Sequence, residues 1–145
     1  ILRTFRKGER HVLLGTHSFW EGVDVVGDAL SCVIVARLPF ASPGDPVLSA
    51  RCEQIEQEGK SAFRALALPA AVLRLRQGFG RLIRHRGDRG LVVIADTRIL
   101  SKNYGGIFRR SLPSPVLDCP DTAAFLSQVA DATILCCISS SACST

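Results

Sequence analysis

The chain has 145 residues, 47% hydrophobic and 21% charged, so it can bury a core without disulfide or metal staples and is too apolar for wholesale disorder. A formal net charge of +5 favours polyanionic partners. No apolar run reaches the roughly 18 residues needed to span a bilayer, and no secretory pattern opens the chain, so the cytoplasm is the expected compartment.

Residues 11–16 form the first apolar run, short, partly β-branched and closed by a Gly-Thr pair, and predict a buried strand. A polar loop follows. The run at 30–36, LSCVIVA, is almost continuously apolar and predicts a strand covered on both faces, hence a parallel sheet. Pro43, Gly44 and Pro46 punctuate the next segment; a helix is expected over 47–58 with Pro46 at its first position and Gly59 as its stop. Pro69 is placed to start a second helix running to about residue 84. Its apolar stripe is Val72, Leu75, Phe79, Leu82 and Ile83, and its other face is basic. Gly87 and Gly90 bracket a turn into a third buried strand over 91–95, ending at Asp96. A short helix is expected over 101–110, a break at Pro113 and Pro115, and a small amphipathic helix over 122–130. The last dozen residues show no periodicity and receive no element. Strands alternating with helices define an α/β domain.

Two constellations carry chemistry. In Gln77-Gly78-Phe79-Gly80-Arg81-Leu82-Ile83-Arg84, residues Gln77, Arg81 and Arg84 stand at i, i+4 and i+7 of one helix and share a face, with Arg74 one turn earlier. Each interior glycine costs a helix roughly 1 kcal/mol against alanine, which fits a place where another backbone or a ligand approaches closely. Guanidinium groups bind phosphate oxygens in a bidentate manner, and no acidic residue between Arg64 and Asp88 is available to pair with them, so phosphate binding outweighs a solvated basic face. The second constellation is the loop Gly15-Thr16-His17-Ser18-Phe19-Trp20-Glu21-Gly22-Val23-Asp24, which follows the first predicted strand. In open α/β sheets the carboxyl ends of the strands form the ligand crevice, which suits Thr16, Ser18, Glu21 and Asp24 to a nucleotide or a nucleic-acid backbone. Trp20 serves equally well as a stacking residue or a core residue. His11, His17 and His85 share no ligand spacing, and the cysteines (Cys32, Cys52, Cys119, Cys136, Cys137 and Cys143) match neither a metal knuckle nor a disulfide framework; no metal is expected in this chain.

These motifs resemble the last two signatures of superfamily 2 DNA helicases of the DinG and XPD type, the bacterial DinG-like members most of all. GTHSFWEGVD (15–24) resembles motif V, QGFGRLIRHRGDRG (77–90) resembles motif VI, and LPFASPGDP (38–46) resembles the segment linking them; the resemblance runs from about Arg6 to Pro115. It implies a RecA-like fold of the P-loop NTPase type, a parallel sheet with flanking helices, forming an incomplete second motor domain over 1–118, with 119–145 as a short helix and tail. It also implies that Arg81 and Arg84 are arginine fingers, that Gln77 makes a nearby nucleotide contact, and that Glu21, Gly22 and Asp24 couple nucleotide state to DNA contact. Thr16, Ser18 and Trp20 would then contact nucleic acid.

The expected partners are ATP with Mg²⁺, held mainly by a first motor domain of the same parent chain, and single-stranded DNA, engaged by a monomer. No GxxxxGK[ST] phosphate loop, acidic metal-binding motif or iron–sulfur cysteine cluster is present; any such parts would lie upstream. The absence of Met and the opening on Ile1-Leu2-Arg3 read as a fragment, inactive by itself. The rival is a basic α/β module that holds nucleic acid without hydrolysing anything.

Overall fold

A computed structural model describes residues 2–7, 11–16, 30–42, 44–82, 90–113, 116–119 and 134–139. Helix α1 (Leu2–Lys7) is followed by strand β1 (Cys32–Val35), and helix α2 (Pro46–Gln57) comes next. Asp45 caps α2, its carboxylate accepting from the N–H groups of Val47 and Leu48 at 2.9 and 3.2 Å, and Pro46 occupies the first turn, where a missing donor costs nothing. Gly59, at φ 74°, ends the element in a conformation that favours glycine.

Helix α3 (Leu68–Leu82) carries the core. Ala71, Leu75, Phe79 and Leu82 repeat at helical spacing and are all buried, packed with Val35, Val92, Ile94, Ile99 and Phe108. Strand β2 (Gly90–Ile94) pairs in parallel with β1, Val33 opposite Val92 and Val35 opposite Ile94. Two short helices, α4 (Arg98–Ser101) and α5 (Gly105–Ser111), then pack on one another, and strands β3 (Val116–Cys119) and β4 (Ile134–Ser139) complete a parallel sheet of order β1-β2-β4-β3 among the described residues.

Several elements depart from the sequence expectation. Residues 11–16 are irregular, with Val12 and Leu14 exposed to 85% and 88%. Strand preference measures fit to a pleated, half-buried surface, and among the described residues this run pairs with no strand. β1 is covered on one face only: Val33 and Val35 pack into the core while Ile34 is 67% exposed. Pro69 does not start its helix. The helical run begins earlier with a π-helical turn, Phe63–Ala67, in which the Leu68 N–H bonds to the Phe63 carbonyl. A proline inside a helical run cannot donate and crowds the carbonyl four residues back, which a widened turn relieves.

The single helix expected over 101–110 is two, separated at Lys102, whose ψ of 146° breaks the run. Gly105 is required at the junction, since a Cβ there would lie 2.0 Å from the Ile99 carbonyl oxygen. The tail, assigned no element from sequence, contributes β4, which sits between β2 and β3. The helix expected over 122–130 lies outside the described residues.

Candidate functional site

The carboxyl ends of β1 and β2 lie level, tied by the Ala95 N–H to the Val35 carbonyl at 2.9 Å, and two segments leave the sheet side by side. After β1 comes Arg37-Leu38-Pro39-Phe40; after β2 comes Ala95-Asp96-Thr97-Arg98. Asp96 joins them. Its carboxylate, 6% exposed, accepts from the Leu38 N–H at 2.7 Å and the Arg98 N–H at 3.0 Å, and it grips the Arg98 guanidinium through Nε at 2.9 Å and Nη2 at 2.6 Å. Burial pushes the Asp96 carboxyl up, but the hydrogen bonds from Arg98 and Leu38 and the charge of Arg98 outweigh it and hold the group below the usual carboxylate range. The same contacts raise Arg98 further above its ordinary range. Arg98 in turn lies over the Phe40 ring, 5.6 Å from its centroid, a cation–π arrangement.

Phe40 is the centre of an aromatic cluster. Phe63 stacks on it at 5.8 Å, and Tyr104 and Phe108 meet it edge-on at 5.7 and 5.8 Å. The LPF segment is also tethered to α3, whose Arg74 Nη1 donates to the Pro39 carbonyl at 3.5 Å, the long limit of such a bond. Sheet end, linking segment and arginine-bearing helix are thus one connected unit.

On α3 the buried face is apolar and Gln77 lies on the exposed side, with Arg76 and Gly80. A Cβ on Gly80 would meet nothing within 4 Å. The glycine's close-approach role is therefore not met by any described residue of this chain, and the space beside it is open.

Residues 1–115 match the family described as helicase C-terminal domain. The chain belongs to that family. Its fold is the RecA-like α/β fold expected from the motifs. The helicase C-terminal domain is similar to ATP-dependent DNA helicase YoaA of Haemophilus influenzae, 50% identical over 114 residues, covering 79% of this chain and 18% of that protein. YoaA of Escherichia coli K12 is 50% identical over 113 residues, covering 78% and 18%. The protein named 3'-5' exonuclease DinG in Bacillus subtilis is 46% identical over 114 residues, covering 79% and 12%. The chain thus spans less than a fifth of the length of these relatives.

Of the residues singled out in the helicase C-terminal domain from sequence, Gln77 is exposed on α3 and Arg81 lies one turn further along the same helix. Thr16 is exposed in the irregular segment rather than at a strand end. Ser18, Trp20, Glu21, Gly22, Asp24 and Arg84 lie outside the described residues. Sequence reading passes over Asp96 and Arg98 as functional positions, although an acidic residue closing an apolar strand, followed two residues later by arginine, was the available signal. Among the described residues no cluster of His, Cys, Asp and Glu could hold a metal, and no helix is long and apolar enough to cross a membrane.

Proposed function

We propose that this domain is the C-terminal part of the second motor domain of an ATP-driven DNA helicase, with residues 1–118 as its motor portion. The observation that carries the proposal is the two-sided character of α3: its apolar face is sealed in the core, while the side bearing Gln77 and Gly80 is open. An open, glycine-relieved helix face with Arg81 one turn beyond Gln77 fits an anionic ligand presented by another domain. ATP with Mg²⁺, held on the first motor domain of the parent chain, would supply the phosphoryl group whose hydrolysis drives movement.

In this reading Arg81 and Arg84 bind the phosphates across the cleft, and Gln77 adds a neighbouring polar contact. Glu21, Gly22 and Asp24 link nucleotide state to the nucleic-acid contact made by Thr16, Ser18 and Trp20. The Asp96 lock and the separate Arg74 hydrogen bond to the Pro39 carbonyl support it by fixing the linking segment to the end of β2 and to α3. The free thiols of Cys32 and Cys52 suit the reducing cytoplasm as its compartment.

The test is made in the full-length protein carrying this domain. Arg84→Lys and Arg81→Ala are expected to lower DNA-stimulated ATP turnover by about 10³-fold or more while changing ATP binding little, since arginine fingers are worth about 10³ to 10⁵ in rate and lysine lacks the fork. Arg110→Ala, on α5, is the control. A raised Michaelis constant for ATP with turnover intact would replace the finger role by simple nucleotide binding.

A further inference from the structure

The Phe40, Phe63, Tyr104 and Phe108 cluster is graded from interior to surface. Phe108 is fully buried, Tyr104 and Phe40 are half-buried, and Phe63 is 41% exposed. Phe40 and Tyr104 each lie 5.3 to 6.2 Å from every other ring of the cluster. Phe63 stacks on Phe40 at an interplanar angle of 26° and is met by the tilted Tyr104 ring at 5.3 Å, yet it keeps 41% of its surface exposed. It is carried by the π-helical turn, a rare irregularity often found at functional sites. Ile107, on α5 and three residues after its N-cap Tyr104, adds a second exposed apolar side chain at 42%.

Charge decides what such a platform would hold. Of the 18 Lys and Arg residues, 12 lie between Lys60 and Arg110, against only Asp88 and Asp96 among the acids of that stretch. Asp96 is already neutralised by Arg98. Arg37, Arg64, Lys102, Arg109 and Arg110 are all exposed on the segments that carry the rings or flank them. A partly exposed aromatic ring among exposed cations matches a ligand that alternates flat apolar rings with negative charge. A duplex hides its base faces; a single strand offers them.

We propose that Phe63, backed by Phe40 and Tyr104, is a base-stacking platform for single-stranded DNA at the carboxyl end of the sheet. The proposal rests on the helicase reading above and adds a docking position that none of the motif residues supplies. The lock between Asp96 and Arg98 holds Phe40 in place behind Phe63, so the platform is preformed.

The test uses the 145-residue chain and a fluorescein-labelled oligothymidylate, followed by anisotropy over a salt series. Phe63→Ala is expected to weaken binding by roughly 5- to 100-fold at fixed salt, the range that loss of one base–aromatic stack produces. The slope of log affinity against log salt should not change, because no phosphate contact is lost. Phe63→Trp should bind at least as well as wild type, with its added fluorescence quenched by the oligonucleotide. Leu73→Ala, removing a 55% exposed side chain of α3, should have no effect. A strand of the same length with abasic sites should bind wild type and Phe63→Ala equally. Wild-type binding with normal salt dependence but less than a twofold effect of Phe63→Ala would overturn the platform and leave the helicase reading intact. No binding by wild type even at low salt would overturn both. Should Phe63→Ala fail to fold by circular dichroism, the tryptophan variant and the abasic strand decide: unquenched fluorescence, or abasic binding as tight as that of oligothymidylate, would overturn the platform.

Discussion

Replacing Asp96 tests whether the junction of β1 and β2 is held by one carboxylate. In Asp96→Ala the Leu38 N–H, now bonded at 2.7 Å inside a buried segment, loses its acceptor, which costs about 1–3 kcal/mol. Arg98 loses a bidentate partner, but its side chain is 40% exposed and water replaces much of the loss, so that part is worth about 1 kcal/mol at most. The expected destabilisation is about 2–4 kcal/mol, or a urea midpoint lowered by about 1–2 M at ordinary m-values. Asp96→Asn keeps an acceptor for Leu38 and gives up the charge, so about 1–2 kcal/mol is expected.

The pH dependence separates this account from a general packing effect. The native Asp96 carboxyl is held below its unfolded value, which for aspartate is about 3.9, so its contribution is present in full above that value and disappears as pH falls through the native one. The stability gap between wild type and Asp96→Asn should therefore be constant near neutrality and close as pH drops below about 4. Urea unfolding followed by far-UV circular dichroism at several pH values measures it. A gap that is absent at neutral pH, or that persists unchanged in acid, would refute the role assigned to this carboxylate.

Gly105→Ala should be among the most damaging small substitutions, costing about 1–3 kcal/mol or more as the backbone moves to admit a Cβ 2.0 Å from the Ile99 oxygen, and a thermal melt would register it. Gly80→Ala, with nothing within 4 Å, should instead stabilise the domain by about 0.5–1 kcal/mol on the same assay, while lowering ATP turnover in the full-length protein if the open face receives a partner. Leu75→Ala, at 1% exposure, should cost about 2–5 kcal/mol by leaving a cavity under α3, measured by urea unfolding. The isolated chain should show no steady-state ATP turnover with single-stranded DNA present, because no phosphate-binding loop occurs in it; turnover abolished by Arg84→Ala would contradict this.

Local chemistry alone settled much of this protein. The stops and starts of α2 follow from Asp45, Pro46 and Gly59, whose effects act within one turn, and the buried stripe of α3 follows from a 3.6-residue repeat that any amphipathic helix must bury. Motif spacing placed Gln77 and Arg81 on that helix and pointed to the helicase C-terminal domain, because one helix's register sets which residues share a face. Where the outcome depended on neighbours, sequence was silent or misleading. Residues 11–16 have strand composition but pair with no strand among the described residues, whereas 134–139 lack periodicity yet form a strand because β2 and β3 flank them with free hydrogen-bonding groups. Asp96, Arg98 and Phe40 are separated by up to 58 residues of chain, and only the parallel pairing of β1 with β2 brings their side chains within hydrogen-bonding and ring-contact distance. The aromatic face at Phe63 arises the same way, from a widened turn whose ring meets two others across the sheet end, a relation that no spacing along the chain encodes.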